Sequence, residues 1–540
     1  MKRLSSYILV VVIFFSILNC AKRGTPTGGE KDTTPPQMVK ADPPMFTTNY
    51  DNQRIRIYFD EYIKLSELQK QLIVSPPIDQ GGYVIRPQGT ASKYVEINIK
   101  DTLQENTTYT FNFGRSIQDN NEGNPYEYFT YVFSTGNYID SLEVTGVVKD
   151  AIKKFPDQFV SVMLYEKNEQ YGDSTIYKEK PTYITNTLDS AVSFRLANLR
   201  AGKYKMIALK DVGNNYTFDP ATDKIAFVKE DIVVPTDSIY ELTLFKEIEN
   251  FSIGRPGMIS RNRIAFAYTG LPDSMEIKLL SSKPEGFKEK ITKEKDKDSL
   301  NYWFTPIDLD SLQFEVSKGT EKETFTVRKR KLPKDSLTLK PNIRGSIVPG
   351  KRFAILSNIP LEAKDESLMS LIDKDSMPVP FTTMIKEEDG ELQLEFDFET
   401  APSQRYRLAL LPNAIKDFYG DTNDSLDFTL STKSLADYGN IRVTLQNVKQ
   451  YPIILQVTVE KGEVVKEIYA TASQPEYSFE SLEPGKYYIR LIYDENKNGQ
   501  WDTGNFLEKR QPEKVYYLPG DLKPLRANWD INETFILPEE

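Results

Sequence analysis

The stretch Asp494-Glu495-Asn496-Lys497-Asn498-Gly499-Gln500-Trp501-Asp502 has the side-chain spacing of a site for a hard cation. Counted from Asp494, oxygen-bearing side chains fall at positions 1, 3, 5 and 9, with Gly499 at 6 and the Gln500 carbonyl at 7. A calcium loop wraps its ion with that spacing. Asp494, Asn496, Asn498, Gln500 and Asp502 are therefore candidate Ca²⁺ ligands. Position 12 is Asn505 rather than a bidentate Glu, and only Asp494 and Asp502 carry charge. The alternative is a tight turn held by Asx side chains, with Asn498-Gly499 supplying left-handed backbone. An upstream copy keeps Asp211, Asn215 and Asp219 but places Gly213 and Tyr216 at the third and sixth positions.

The second reactive residue is Cys20, the one cysteine in 540 residues. It ends an apolar run from Tyr7 to Leu18, preceded by Lys2 and Arg3. A membrane-spanning helix needs roughly 20 residues, and this run is shorter. Its length and basic flank predict a signal peptide over 1–19. A lone cysteine closes no internal disulfide. Phe15-Ser16-Ile17-Leu18-Asn19-Cys20 resembles the lipobox of bacterial lipoproteins, with Asn19 in place of the usual small residue. The resemblance implies lipidation at Cys20 and attachment to a membrane through acyl chains. Residues 21 to 34 are polar and rich in Gly and Thr, which predicts a flexible tether over 20–34. Lys22-Arg23 follows the cysteine directly, and the first acidic residues are Glu30 and Asp32. By the sorting rules of such lipoproteins, this implies the outer membrane, facing the periplasm, with exposure at the cell surface as the alternative.

Histidine is absent. That removes Ser-His-Asp and Cys-His catalysis and imidazole proton shuttles. Carboxylate pairs remain for glycoside hydrolysis. Asp60-Glu61 is the neatest, yet neighbours on a strand point to opposite faces. Sixty-eight basic and 78 acidic residues leave a net charge of −10 with no long like-charged block. Nucleic-acid binding calls for a basic face and is not expected. Trp303, Trp501 and Trp529, with Tyr50, Tyr126 and Tyr128, have no spacing that separates a sugar platform from core packing.

Thirty-one tyrosines and 29 phenylalanines favour strands. Ile55, Ile57 and Phe59 alternate with Arg54, Arg56 and Tyr58, and Val95, Ile97 and Ile99 alternate with Glu96, Asn98 and Lys100. Tyr109, Phe111 and Phe113 are followed by Phe129, Tyr131 and Phe133. Period-two alternation predicts strands with one buried face. The one helical hint is Ser66 to Leu72. Residues 35–136 thus read as a β-sandwich. This region resembles the S-layer-type bacterial Ig-like domain in Thr34-Pro35-Pro36, Ile57-Tyr58-Phe59-Asp60-Glu61 and Asn106-Thr107-Thr108-Tyr109-Thr110-Phe111. The pair Gln118-Asp119 with Gly123-Asn124, and Phe133-Ser134-Thr135, continue it. The resemblance implies a structural, non-catalytic module.

Residues 141–247 form a second β-unit, in which Phe194 to Tyr204 reads as strand, turn, strand. With Gly202-Lys203-Tyr204 it is similar to the prealbumin-like or carboxypeptidase-regulatory sandwich. Residues 250–340 form a middle β-rich domain, with Ile264, Phe266 and Tyr268 on one strand. The charged stretch Lys288 to Asp298 reads as a solvated hairpin or loop.

A repeat follows. Tyr109 to Thr135 returns as Tyr406 to Thr432, and Ile117-Gln118-Asp119 returns as Ile415-Lys416-Asp417. Leu199, Gly202-Lys203-Tyr204 and Asp211 return 283 residues later as Leu482, Gly485-Lys486-Tyr487 and Asp494. This gives a second Ig-like domain over 345–432 and a second prealbumin-like sandwich over 437–540. The expectation is an all-β chain of tandem β-sandwich domains, Ig-like and prealbumin-like, behind a lipoprotein signal peptide. Its expected role is a non-catalytic envelope scaffold whose partners are envelope proteins or glycans, with no cofactor beyond the candidate Ca²⁺. The alternatives are a glycan-binding component of an uptake assembly, or a carboxylate-based hydrolase.

Overall fold

A computed structural model describes residues 31–79, 81–187 and 192–539. The signal peptide, Cys20 and most of the tether lie outside the described residues. The chain is nearly all-β, a series of tandem β-sandwiches, and falls into two compact units.

The first unit comprises Met1–Glu143, Thr182–Leu188 and Leu196–Ala201. One sheet runs in the order Met38–Asp42, Arg54–Leu65, Ser92–Ile99, Tyr83–Arg86. The long strand Arg54–Leu65 serves two partners. Its first half pairs with Ser92–Ile99, the register shifts between Tyr58 and Ile63, and its second half pairs with Ile117–Asp119. The other sheet joins Ile73–Ser75, Thr108–Asn112 and Thr130–Ser134. Ile55, Ile57 and Phe59 turn inward against Tyr109, Phe111, Phe113, Phe129, Tyr131 and Phe133, all buried. Each such side chain contributes about 1.5–3 kcal/mol by leaving water, which is why alternation alone sets the register. The helical hint is one short helix, Leu68–Gln71.

The second unit comprises Val144–Pro181, Asp189–Arg195 and Gly202–Glu540. Near its start, Ile239–Leu244 pairs in parallel with the strand through Thr145 to Asp150. Ser161–Glu166, Gly202–Lys210 and Lys224–Phe227 form an antiparallel group. Near its end the same plan returns. Gly439–Gln446 pairs in parallel with Asp530–Ile536, and Ile453–Thr458, Tyr488–Tyr493 and Val515–Tyr517 form the antiparallel group.

Between these lie two further sandwiches. In one, Arg263–Thr269 and Ser299–Phe304 pack against Ser311–Lys318 around Phe266, Tyr302 and Phe314. The charged stretch after Lys288 is a hairpin, since Glu289–Lys293 pairs with Ser299–Phe304. In the other, Phe353–Ser357 and Glu391–Asp397 pack against Arg405–Leu410 and Leu426–Thr432. Trp303 bridges these two cores. It is buried with Ile359 and Phe418, and its Nε1 donates to Thr292 Oγ1 at 2.9 Å.

Candidate functional site

The five candidate ligands do come together, on the turn after Tyr488–Tyr493. Asp494 is buried, while Asn496, Asn498 and Gln500 are exposed. Asp494 accepts from the backbone N–H of Asn498 at 3.1 Å and of Gly499 at 2.9 Å, one on each carboxylate oxygen. Asn496 Oδ1 accepts from Asn498 N at 3.0 Å, and Asn498 Oδ1 accepts from Gln500 N at 2.7 Å. The Nδ2 groups of Asn496 and Asn498 both donate to Asp502 Oδ2, at 2.7 Å each. The side-chain oxygens of Asp494, Asn496 and Asn498 each accept from backbone N–H groups of the same turn. Asn505, at position 12, accepts instead from Glu508 N at 2.9 Å. No cluster of three or more acidic, Cys or His groups suited to a metal occurs among the described residues. The arrangement is that of an Asx-bracketed turn.

The upstream copy folds the same way despite its altered sequence. Asn214 and Tyr216 have φ of 52° and 61°, and their counterparts Lys497 and Gly499 have 65° and 77°. Tyr216 thus adopts left-handed backbone where the later copy uses glycine, a conformation uncommon for a bulky residue. Asp211 accepts from Tyr216 N at 2.7 Å, the role of Asp494. Burial raises the Asp211 carboxyl above its ordinary pKa, and the charge of Asp223 adds to that.

Two residues with no apparent role in the sequence lock these turns. Buried Asp223 accepts from Val212 N at 2.9 Å and Asp219 N at 3.0 Å. Buried Glu513 accepts from the equivalent donors, Glu495 N at 2.7 Å and Asp502 N at 3.0 Å. Burial raises the Glu513 carboxyl, and those backbone N–H donors partly offset the rise. The available signal was an acid-Lys pair opening the next strand, Asp223-Lys224 and Glu513-Lys514.

Asp211 to Asp223 is a step of 12 residues, whereas Asp494 to Glu513 is 19, so the later loop is seven residues longer. The extra length docks on the earlier sandwich of the same unit. Phe506 is fully buried, its ring edge-on to Phe227 at 5.4 Å between centroids. Its N–H donates to the buried carboxylate of Glu247. Thr503 Oγ1 donates to Lys246 O at 2.6 Å, and Gln511 Nε2 to Phe227 O at 2.9 Å. Lys509 pairs with Asp173 at 2.8 Å. A Cβ on Gly504 would stand 2.6 Å from Phe245 Cζ, so only glycine lets the backbone approach this closely. Beside this contact, Arg490 Nη1 and Tyr517 OH both donate to Ile152 O at 2.8 Å.

The remaining candidates take structural places. Asp60 accepts from Gln37 N at 2.9 Å. Burial raises the Glu61 carboxyl, with the charges of Asp119 and Asp60 adding to it. Trp303 is core, and Trp501 is half-buried with Nε1 on Glu513 O at 3.1 Å. Trp529 is exposed beneath Arg526, 4.8 Å from its ring centre. Tyr50 is buried, Tyr126 half-buried and Tyr128 exposed.

Residues 32–135 match the family described as a bacterial Ig-like domain, about a fifth of the chain. No curated protein matches. Among solved structures, the S-layer protein rSbsC(31-844) is 11% identical over 86% of this chain and 66% of its own, with a TM-score of 0.14. The BSP domain of a biofilm associated protein is 9% identical over 88% of this chain and 97% of its own, with a TM-score of 0.15. A chimeric titin Z1Z2 is 12% identical over 34% of this chain and 96% of its own, with a TM-score of 0.16.

Proposed function

We propose that this protein is a lipid-anchored, non-catalytic scaffold of a Gram-negative cell envelope, presenting tandem sandwiches from the periplasmic face of the outer membrane. The observation that carries this reading is where the buried polar and aromatic groups go. Glu247, Phe506, Thr503 and Arg490 join one sandwich to another, and Trp303 and Tyr419 join a second pair, Tyr419 OH donating to Asn262 O at 2.7 Å. Polar groups placed on such seams hold neighbouring modules of this compact unit together. The match of residues 32–135 to a bacterial Ig-like domain points the same way. Cys20 supplies the anchor in this reading, and envelope proteins or glycans are the partners.

Fractionation of cells carrying Cys20→Ser tests the anchor. The variant is expected in the soluble fraction with its sandwiches folded. Retention on membranes overturns the lipid anchor. Affinity purification from the native envelope tests the scaffold, which is expected to bring down partners. A purified chain that turns over a glycan or peptide and brings down none overturns it.

A further inference from the structure

The outer face of the first sandwich carries a groove that the scaffold reading leaves unused. Beside the hairpin between Tyr83–Arg86 and Ser92–Ile99 lies an open groove of about 510 Å³, within the size of small-molecule clefts. Arg56, Arg86, Thr90, Ser92, Tyr94 and Glu96 line it. We propose that this groove binds an acidic sugar, a uronic acid within an oligosaccharide.

The lining argues for that chemistry. Two guanidiniums face one carboxylate, in a chain whose overall charge is −10. Glu96 is already spent. Its Oε2 accepts from Arg56 Nε at 2.7 Å and its Oε1 from Asn98 Nδ2 at 2.9 Å, which fixes Arg56 in place. Those two bonds, Asn98 first and Arg56 second, also hold the Glu96 carboxyl below its ordinary range despite its burial. Arg86 is exposed and has no side-chain partner among the described residues. Its fork is therefore available for a carboxylate, the geometry guanidinium matches best. Tyr94 is 37% exposed, with Arg56 lying 5.3 Å from its ring centre and Tyr58 beside it at 5.7 Å. A half-exposed ring with a fixed cation offers an apolar surface for a sugar's C–H face and a polar rim for its hydroxyls. A neutral apolar ligand would leave the Arg86 guanidinium desolvated and unpaired, at a cost.

The test is calorimetry on the full chain at low salt with tetragalacturonate, maltotetraose and inorganic phosphate. Tetragalacturonate is expected to bind, maltotetraose to give no heat, and phosphate to fail to compete at equal concentration. Arg86→Gln is expected to weaken tetragalacturonate about tenfold, the loss of one charge-assisted contact, and Tyr94→Ala about tenfold, the loss of the ring face under the sugar. Both positions are exposed, so folding is retained and is checked by unchanged melting. No heat with tetragalacturonate overturns the proposal. So do full affinity in Arg86→Gln, equal binding of maltotetraose, or competition by phosphate, which would mark a bare anion site.

Discussion

At the scale of single residues, the repeat is a repeat of hydrogen bonds. Tyr109 OH accepts from Gln104 N at 2.9 Å, and Tyr406 OH accepts from Ala401 N at 2.7 Å. Thr135 Oγ1 accepts from Thr107 N at 2.9 Å and donates to Gln104 O at 2.7 Å. Thr432 Oγ1 accepts from Gln404 N at 2.9 Å and donates to Ala401 O at 2.5 Å. One hydroxyl thus closes the same corner in each copy, with left-handed Asn106 and Ser403 between its partners. Valine keeps the shape and removes both bonds. Thr135→Val and Thr432→Val are each expected to cost about 1–3 kcal/mol. Their effects should add, because the sites share no partner. Urea titration reads the cost, and hydrogen exchange should show the Thr107 or Gln404 amide losing protection in the matching variant alone. Unchanged protection of that amide would mean the hydroxyl carries no weight.

At the scale of elements, the loop Asn505–Gln511 exists to reach another sandwich, and its buried acid makes the contact sensitive to pH. Burial raises the Glu247 carboxyl above its ordinary pKa, the Phe506 N–H works against that, and Glu508 adds to it while Arg510 and Lys246 oppose it. A carboxyl whose folded pKa lies above its unfolded value disfavours folding when both states are ionised. That penalty is relieved as pH falls through the folded pKa toward the unfolded value of about 4.3. Glu247→Gln keeps an oxygen for Phe506 N–H and removes the charge. It is expected to melt above the parent protein at pH 8, with the difference shrinking as the pH is lowered to 5. A difference that ignores pH would show that charge burial is not the cause.

Much of this level was legible in the sequence. Ile55, Ile57 and Phe59 announced their strand because side chains alternate with a period of two, and burial follows that alternation from Arg54 to Asp60. Gly202-Lys203-Tyr204 and its copy announced the repeat by shared residues at a fixed offset. The turn was legible as a spacing of oxygens, but spacing does not say whether N–H groups or a cation will use them. Asp223 and Glu513 were not legible, because the longer later loop breaks any fixed offset between them.

At the scale of the whole molecule, the contact between Glu247 and Phe506 joins residues 259 apart in sequence. Nothing periodic marks such a pairing, so it lay beyond sequence reading. Its physical consequence is cooperativity. Non-local contacts are formed late and at high entropic cost, and they stabilise both partners once made. Phe506 fills the space beside Phe227, which in turn meets Phe245 edge-on at 6.1 Å between centroids. Phe506→Ala removes that packing, at about 3–5 kcal/mol for a buried ring. The loss should be felt on both sides of the seam. Exchange protection is expected to fall together in Lys224–Phe227 and in Val515–Tyr517, the strands that follow the two locked turns. Strand Arg54–Leu65, in the other compact unit, should keep its protection and serves as the internal reference. If only residues 505–511 lose protection, the seam is a passive contact, and each sandwich of this unit stands without the other.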